Sequence, residues 1–337
     1  MRTIALITAL AAGCVGELDE PTTATTTQEA GCPPQYCGTN SDITARNGIW
    51  EANLNGLADV NGVSLVTRTG TTKPLIYDWN DRPYYLKVVN GKISGKPVVG
   101  TGGISGQGLV GAGFQFKKNG TVIYSVSIEA VRTIPLAVDP WESVEVYTLS
   151  WHSRSGVPVP DCPAGMGLGV NETLVFEGDR IDPARLTMST DAQWDPSWFS
   201  MGCGSSVVAK LRMLRMTKSN QAVSDWALRQ ATLKMLTADY CGNGHNWTRL
   251  GTPIGWRDDA RITDYAITGV TPSHVEARWD QNGAKCLNTP RLTAAGVTLY
   301  TDEMVRNMCP LLVCSDPNLW GPPSTGTNGA RVVSANP

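Results

Sequence analysis

The sequence predicts an α+β protein: a β-rich N-terminal part, which is a sandwich or open barrel, precedes a disulfide-stapled part with a helical hairpin and short strands. Alternating apolar and polar residues on both sides of Asn119-Gly120 indicate a β-hairpin in the first part. Two segments of helical periodicity follow position 205. Eight of the nine cysteines come after position 31, where they would form disulfides in an oxidising compartment.

Residues 1–13 have the three parts of a secretory signal peptide. Arg2 gives a charged start, an uncharged and largely apolar run covers residues 3–12, and small residues end the segment. The ending LAAGC resembles the bacterial lipobox, whose cysteine carries a diacylglyceryl group, although Ala11 stands where that pattern usually has leucine. We therefore predict a lipoprotein signal peptide with Cys14 as the lipid anchor. The alternative is an ordinary signal peptide in which Cys14 is incidental.

Residues 14–31 are predicted to form a disordered tether. They are rich in threonine and acidic residues and contain no aromatic residue, so they cannot build a core. A flexible chain of this length spans on the order of 20–25 Å, which suits a folded body held at a membrane by acyl chains. Because Val15 rather than aspartate follows the cysteine, the outer membrane or cell surface is favoured, with a periplasm-facing lipoprotein as the alternative.

Residues 32–185 are predicted to form the β-rich domain. The segment ESVEVYTLSWHS alternates Val144, Val146 and Thr148 with polar neighbours, as a half-buried strand does. ETLVFEGD indicates another short strand, and glycine and proline are frequent between such runs. These features are typical of a β-sandwich or an open barrel.

Residues 186–325 are predicted to form an α+β, disulfide-rich region. SVVAKLRMLRM indicates one helix, and SNQAVSDWALRQATLKML indicates a second helix with Ser219 as its N-cap. Short strands return in ARITDYAITGV and in HVEARWDQNGAKCL, where Asn282-Gly283 indicates a tight turn. Residues 326–337 are polar and rich in glycine, which predicts a flexible tail.

Charge and motif spacing argue against several partners. Lys+Arg 28 against Asp+Glu 30 is nearly balanced, so we expect no nucleic-acid partner. The GxGxxG match at residues 106–111 leads into hairpin sequence rather than a helix, which indicates β-turns and no dinucleotide. YDWNDRP has Arg82 where a calcium loop needs an oxygen ligand, and CPLLVC separates its cysteines too widely for a zinc deaminase. We predict no cofactor and no metal.

The cysteines are predicted to be structural. If Cys14 carries the lipid, an even number remains: Cys32, Cys37, Cys162, Cys203, Cys241, Cys286, Cys309 and Cys314. In an exported protein these eight most economically form four disulfides, whose pairing the sequence leaves open. The mature protein would then contain no free thiol.

Two candidate sites remain after this assignment. Trp194 and Trp198, in the polar stretch QWDPSW, are the tryptophans we expect to be exposed, where they could stack on a ligand such as an envelope glycan. Asp239 and His245, in LTADYCGNGHNWT, could serve a hydrolase, as could a cysteine–histidine pair. Cys203 precedes a predicted helix that could lower its pKa, but its competing interpretation is a disulfide.

The segment ADYCGNGHNWTRLGTPI resembles the ADYC-domain proteins, which occur chiefly in myxobacteria. The resemblance rests on residues 238–241, on the following Gly-x-Gly and GT, on CGTNS and on EARWDQNGAKC. Leu211 and Thr232 stand where the family often has cysteines, and losing both together is what a missing disulfide would look like. The resemblance implies that residues 186–325 are of the ADYC type and that the protein is exported, but it implies no mechanism, because the family has no established activity.

These observations predict an exported, lipid-anchored cell-envelope protein that acts as a binding or structural module. Its expected partners are a membrane, through Cys14, and an envelope glycan or protein. A secreted hydrolase that uses Asp239 and His245, or a cysteine–histidine pair, is the alternative.

Overall fold

The computed structural model describes residues 49–136, 141–154, 156, 162, 164, 167–182, 184–204, 206–218, 225–247, 254–260, 262, 264–265, 275–291, 293–294, 297–298, 301–314 and 330–335. The predicted signal peptide, the tether, Cys14, Cys32 and Cys37 lie outside this part of the chain. Within it, every strand pairing is antiparallel.

An 11-stranded sheet dominates the first part of the described chain. Its strands, and the separate hairpin β11–β12, are β1 (Ile49–Asn53), β2 (Val63–Leu65), β3 (Leu75–Tyr77), β4 (Pro83–Val89), β5 (Lys92–Pro97), β6 (Ile104–Ser105), β7 (Gly113–Lys118), β8 (Thr121–Pro135), β9 (Ser143–Ser153), β10 (Glu172–Gly178), β11 (Ile181–Asp182), β12 (Thr187–Met188) and β13 (Asp195–Cys203). The order across the sheet is β1-β13-β10-β9-β8-β7-β3-β4-β5-β6, and β2 also pairs with β7. β13 therefore extends this sheet beyond position 185.

The large sheet curls so that its two halves pack against each other. β1 lies against β2, and β10 lies against β4 and β5. Ile76 and Phe114 from one half share a core with Val175 and Phe199 from the other. The strands of this 11-stranded sheet therefore form an open barrel.

The turn between β7 and β8 confirms the predicted hairpin. Asn119 and Gly120 both have positive φ, 51° and 79°, as a type I′ turn requires. The glycine-rich segment that resembled a dinucleotide motif forms a short 3-10 turn, Gly106–Leu109, beside this hairpin.

The second part of the chain forms a smaller sheet and three helices among the described residues. The strands are β14 (Gly255–Asp258), β15 (Asp264–Tyr265), β16 (Val275–Asp280), β17 (Gly283–Leu287), the small hairpin β18 (Thr293–Ala294) and β19 (Val297–Thr298), and β20 (Val332–Ala335). The helices are α1 (Val207–Met213), α2 (Trp226–Thr237) and α3 (Asp302–Met308). The 5-stranded sheet has the order β15-β14-β20-β16-β17. Together with the barrel, these elements confirm the predicted α+β class.

α1 and α2 fill the space between the barrel and the smaller sheet. α1 contacts β10 and β13, and α2 contacts β16 and β20. β10 separates two cores because neighbouring side chains of a strand face opposite ways: Val175 belongs to the barrel core, whereas Leu174 and Phe176 belong to the core around the helices.

Two sequence predictions in this part are wrong. α2 begins at Trp226, and its N-cap is Asp225, whose side chain accepts a hydrogen bond from Ala227 N, so Ser219 is not the cap. The predicted tail at 326–337 contains β20, which lies at the centre of the smaller sheet between β14 and β16. Its backbone groups are satisfied by two neighbouring strands, and all four residues of the strand are buried.

Six of the cysteines form three disulfides. They are Cys162–Cys203, Cys241–Cys309 and Cys286–Cys314. The first joins the segment before β10 to the end of β13, and the other two connect α3 and the turn after it to the rest of the second part. For these six residues the structure agrees with a structural role.

Candidate functional site

The ADYC segment ends α2, and Ala238 makes that end. Ala238 has a left-handed backbone, with φ 50°, and its N–H bonds Met235 O at 3.0 Å, while Asp239 N bonds Lys234 O at 2.9 Å. This pair of bonds closes the helix as a Schellman-type cap, a position at which glycine is usual. Ala238 is fully buried, so its small side chain suits both the backbone and the packing.

Asp239 is committed to a buried ion pair. Its Oδ2 lies 2.5 Å from Lys234 Nζ and accepts a hydrogen bond from Gly244 N at 3.0 Å, and its Oδ1 accepts one from Asn243 N at 3.1 Å. Asp239 is fully buried and Lys234 is 1% exposed. Because both oxygens have partners and no water reaches them, this carboxylate fixes the loop after α2.

Tyr240 anchors a second buried network. Its hydroxyl donates to Glu276 and accepts from Arg291 N at 2.9 Å, and its ring stacks on Trp279 with centroids 5.2 Å apart. Glu276 also pairs with Arg291 at 3.0 Å and accepts from Ser334 Oγ at 2.7 Å. Burial raises the pKa of Tyr240 well above its ordinary value. The tyrosine therefore joins the end of α2 to β16 and β20.

The two glycines after the motif are required by close backbone approaches. A Cβ on Gly242, whose φ is +66°, would lie 1.6 Å from the carbonyl oxygen of Asn282. A Cβ on Gly244, whose φ is +87°, would lie 2.3 Å from the carbonyl oxygen of Ala184. The predicted turn at Asn282-Gly283 is therefore in contact with the ADYC loop, and its turn residues are 281–282, one position earlier than predicted.

The sequence candidates for hydrolysis do not assemble into a thiol site. Cys241 is bonded to Cys309 and Cys203 to Cys162, so neither is available as a nucleophile. The ring of His245 packs edge-on against Trp247 with centroids 4.3 Å apart, and His152 lies 3.3 Å from Ser150 Oγ on the exposed face of β9. The third histidine, His274, lies outside the described residues.

A cavity of about 910 Å³, which we name the mouth pocket, opens at the barrel end that carries the Asn119-Gly120 turn. Its aromatic side is formed by Trp50, Phe116, Tyr124 and Trp151. Its polar side includes Glu51, Asp59, Arg180 and Asp182. Mouths of β-barrels are frequent ligand sites, and a pocket of this size can enclose a drug-sized molecule.

The aromatic side forms one continuous wall. The centre of the Trp151 ring lies 4.5 Å from the ring centre of Trp50, 5.6 Å from that of Phe116 and 5.7 Å from that of Tyr124. Trp151 and Phe116 are buried, whereas Trp50 and Tyr124 are half-buried. The buried rings therefore support two rings whose surfaces remain partly open.

The polar side is organised around Glu51. Its Oε2 pairs with Arg180 at 3.1 Å, and its Oε1 accepts a hydrogen bond from Ile181 N at 3.0 Å. Burial raises the pKa of Glu51, and the charge of Arg180 opposes this effect. The guanidinium of Arg180 lies 3.8 Å from the ring centre of Trp198. This chain of contacts holds the carboxylate in one orientation at the pocket.

One polar atom of the wall is unsatisfied. Trp151 is 8% exposed, and its indole Nε1–H is buried without a hydrogen-bond acceptor among the described residues. A buried donor without a partner costs roughly 1–3 kcal/mol. An acceptor supplied by a ligand would remove that cost.

The tryptophans singled out from the sequence occupy other positions. Trp198 is 8% exposed and covered by Arg180, so the expectation that it is exposed is wrong. It contributes to the mouth pocket only through Arg180. Trp194 is half-buried against Gly178, where a Cβ would lie 1.9 Å from its Nε1.

Sequence reasoning missed Trp50 and Trp151, which come from strands far apart in the chain. The available signal was the alternation of Leu149 and Trp151 on β9, which places both on the barrel-facing side. Nothing local in the sequence indicated that Trp50 would meet them.

The described residues show neither a metal site nor a membrane-spanning helix. No group of three or more His, Cys, Asp or Glu side chains among them is arranged to hold a metal ion. No helix in the same part of the chain is long and apolar enough to cross a membrane.

Comparison with known proteins gives one match. A family model described as ADYC domain matches residues 106–293, more than half of the 337 residues. Neither the curated proteins nor the solved structures that were compared include a match to this chain.

Proposed function

This chain belongs to the ADYC domain family, and we propose that its function resides in the mouth pocket. The residues of the ADYC motif have an architectural role, so the motif itself is not the functional site in this proposal. The protein is an exported, lipid-anchored binding module of the cell envelope, and the mouth pocket holds its ligand. The observation that carries this proposal is the cavity of about 910 Å³, which is lined both by a continuous aromatic wall and by fixed charged groups.

Export is supported by the cysteine chemistry. Three disulfides occur among the described residues, and structural disulfides persist mainly in oxidising compartments. The signal-peptide pattern at residues 1–13 and the cysteine at its end, Cys14, support the lipid anchor. The alternative, a hydrolase, gains no support from the geometry, since Cys203 and Cys241 are bonded and Asp239 is buried in an ion pair.

Anchoring is tested by fractionating cells that produce the wild-type protein or the Cys14→Ala variant. We expect the wild type in the membrane fraction and the variant in a soluble envelope fraction or the medium, because the acyl chains provide the membrane affinity. Continued membrane association of the variant would contradict the anchor. Cytosolic location of both proteins would contradict export.

The released Cys14→Ala protein then tests the pocket in co-sedimentation with purified cell-envelope fragments. Trp50→Ala, added to this variant, should weaken binding about tenfold or more, as the loss of a central aromatic contact does. Trp79→Ala is the matched control, because Trp79 is 73% exposed and does not line the mouth pocket. Equal effects of both substitutions, or no binding by the parent, would contradict a binding function of this pocket.

A further inference from the structure

We infer that the mouth pocket binds a non-anionic oligosaccharide, which lies with one face of its rings on the aromatic wall and its hydroxyl groups against the polar side. This inference rests on the proposed function and adds the chemical class of the ligand. It follows from the two kinds of residue that line the pocket, aromatic and charged, from the unsatisfied indole of Trp151 and from the charges of the polar side.

The aromatic wall selects for a ligand with polarised C–H faces. Trp50 and Tyr124 are half-buried and supported from behind by Trp151. Aromatic ring faces carry negative charge density, which attracts positively polarised hydrogens. A pyranose ring presents such hydrogens on one face, so it can lie on Trp50 and Tyr124.

The polar side excludes a purely aliphatic ligand such as a fatty acyl chain. Glu51, Asp59 and Asp182 lie on this side together with Arg180. Covering charged groups with hydrocarbon would remove their water without replacing its hydrogen bonds, which is costly. Sugar hydroxyl groups both donate and accept, and they can replace that water.

Trp151 adds a requirement for an acceptor. Its Nε1–H is buried and has no acceptor among the described residues, although the residue lines the cavity. A hydroxyl or ring oxygen of a bound sugar satisfies this donor. A hydrocarbon leaves it unsatisfied, with the associated cost in free energy.

The charges of the polar side argue against an anionic sugar. Arg180 is paired with Glu51, so the charge of Glu51 is already balanced. Asp59 and Asp182 line the same cavity, with Lys118 as the remaining lining cation. Asp182 also lies 3.9 Å from Arg185, an exposed residue outside the lining. The lining itself therefore carries one more negative charge than positive, which disfavours a uronic or sialic acid.

The test measures binding of the Cys14→Ala protein to an array of neutral, amino-bearing and acidic oligosaccharides, followed by calorimetry on the best binder. We expect binding to non-anionic members only. Trp50→Ala should weaken it about tenfold or more. Trp151→Phe, which keeps an aromatic ring but removes the N–H, should weaken it by about five- to tenfold.

The charge argument has its own variant, Asp59→Asn with Asp182→Asn. In each residue the oxygen that accepts loop N–H groups, Oδ1, is retained in asparagine, so the loops should keep their conformation. The double variant should gain measurable binding to acidic oligosaccharides, so that the ratio of acidic to neutral binding rises at least several-fold over that of the parent protein.

The outcomes separate this inference from the proposed function. If no oligosaccharide binds but binding to envelope fragments still depends on Trp50, the saccharide inference is overturned and the pocket keeps its function. Preference for acidic sugars by the parent protein also overturns it. If envelope binding does not depend on Trp50, the proposed function itself fails.

Discussion

Lys210 is a charged residue in a place where charge is expensive. It lies on α1, is fully buried, and its Nζ has no hydrogen-bond partner among the described residues. Burial, together with the smaller effect of the nearby charge of Arg291, lowers the pKa of Lys210 to about 7. The folded protein therefore holds this lysine neutral at alkaline pH and gains nothing from its charge.

We expect Lys210→Met to stabilise the protein, and to do so more at low pH. The pKa of Lys210 is about 7 in the folded state and near 10.5 when unfolded, so between these values the unfolded chain binds more protons. The wild type therefore loses stability as pH falls from about 10 to 7, with no further loss below 7. The gain in free energy of unfolding should be about 3 kcal/mol near pH 8 and should fall to about 1 kcal/mol near pH 10.

Urea denaturation of both proteins across this pH range measures the difference. Lys87→Met is the control, because Lys87 is exposed on β4 and its substitution should change stability little. A gain for Lys210→Met that is constant with pH would contradict a neutral, buried lysine. It would then reflect improved packing alone.

At the scale of elements, the ADYC segment joins α2 to three neighbouring segments. Asp239 holds the loop after α2 through Lys234, Tyr240 connects it to Glu276 on β16, and Cys241 connects it to Cys309 at the end of α3. The motif therefore carries information about packing. That explains why Asp239 and Cys241 of this segment are engaged in an ion pair and a disulfide and are not arranged as a catalytic group with His245.

Gly242→Ala tests this reading of the segment. The new Cβ would lie 1.6 Å from Asn282 O at a backbone with φ +66°, so the turn after β16 must move. We expect a loss of at least about 3 kcal/mol in free energy of unfolding, because the obstacle is backbone and not a flexible side chain.

Gly120→Ala is the matched control for that substitution. Gly120 has a similar φ, +79°, but a Cβ there would have no heavy atom within 4 Å, so only the backbone strain of about 1–2 kcal/mol remains. Thermal or urea unfolding of both variants measures the difference. Equal losses would mean that the approach of Asn282 to Gly242 contributes nothing.

Elements encoded by adjacent residues could be predicted, and elements created by distant pairing could not. The Asn119-Gly120 hairpin depends on two residues that adopt positive φ, and it was predicted correctly. The strand Val332–Ala335 depends on β14 and β16, which come much earlier in the chain, so its sequence alone suggested a tail. Residue type alone favours Ser219 as a cap, but Asp225 offers the same chemistry and is the residue used.

At the scale of the whole molecule, the candidate site depends on the closure of the barrel. Trp50 comes from β1 and Trp151 from β9, and they meet only because the sheet curls. Arg180 follows β10 and pairs with Glu51 on β1. The sequence therefore supplied the residue types of a binding pocket but not their juxtaposition, and it favoured Trp194 and Trp198 because their local surroundings are polar.

The periphery of the molecule is held differently from its centre. α3 buries only Val305, so apolar burial contributes little to keeping it in place. The disulfide Cys241–Cys309 joins its end to the ADYC segment, and Cys286–Cys314 joins the following turn to β17. Cross-links thus replace a core in this part of the fold, as they do in small exported domains.

Replacing Cys241 and Cys309 together by alanine should therefore release α3 while leaving the barrel intact. The bond closes a loop with a sequence separation of 68, which corresponds to about 4 kcal/mol of chain entropy. Hydrogen exchange should show fast exchange at Asp302–Met308 and unchanged protection in β7, β8 and β9. The Cys162→Ala, Cys203→Ala variant is the control, because its bond lies beside the barrel and its loss should leave α3 protected. Persistent protection of α3 in the first variant would show that packing at Val305 suffices.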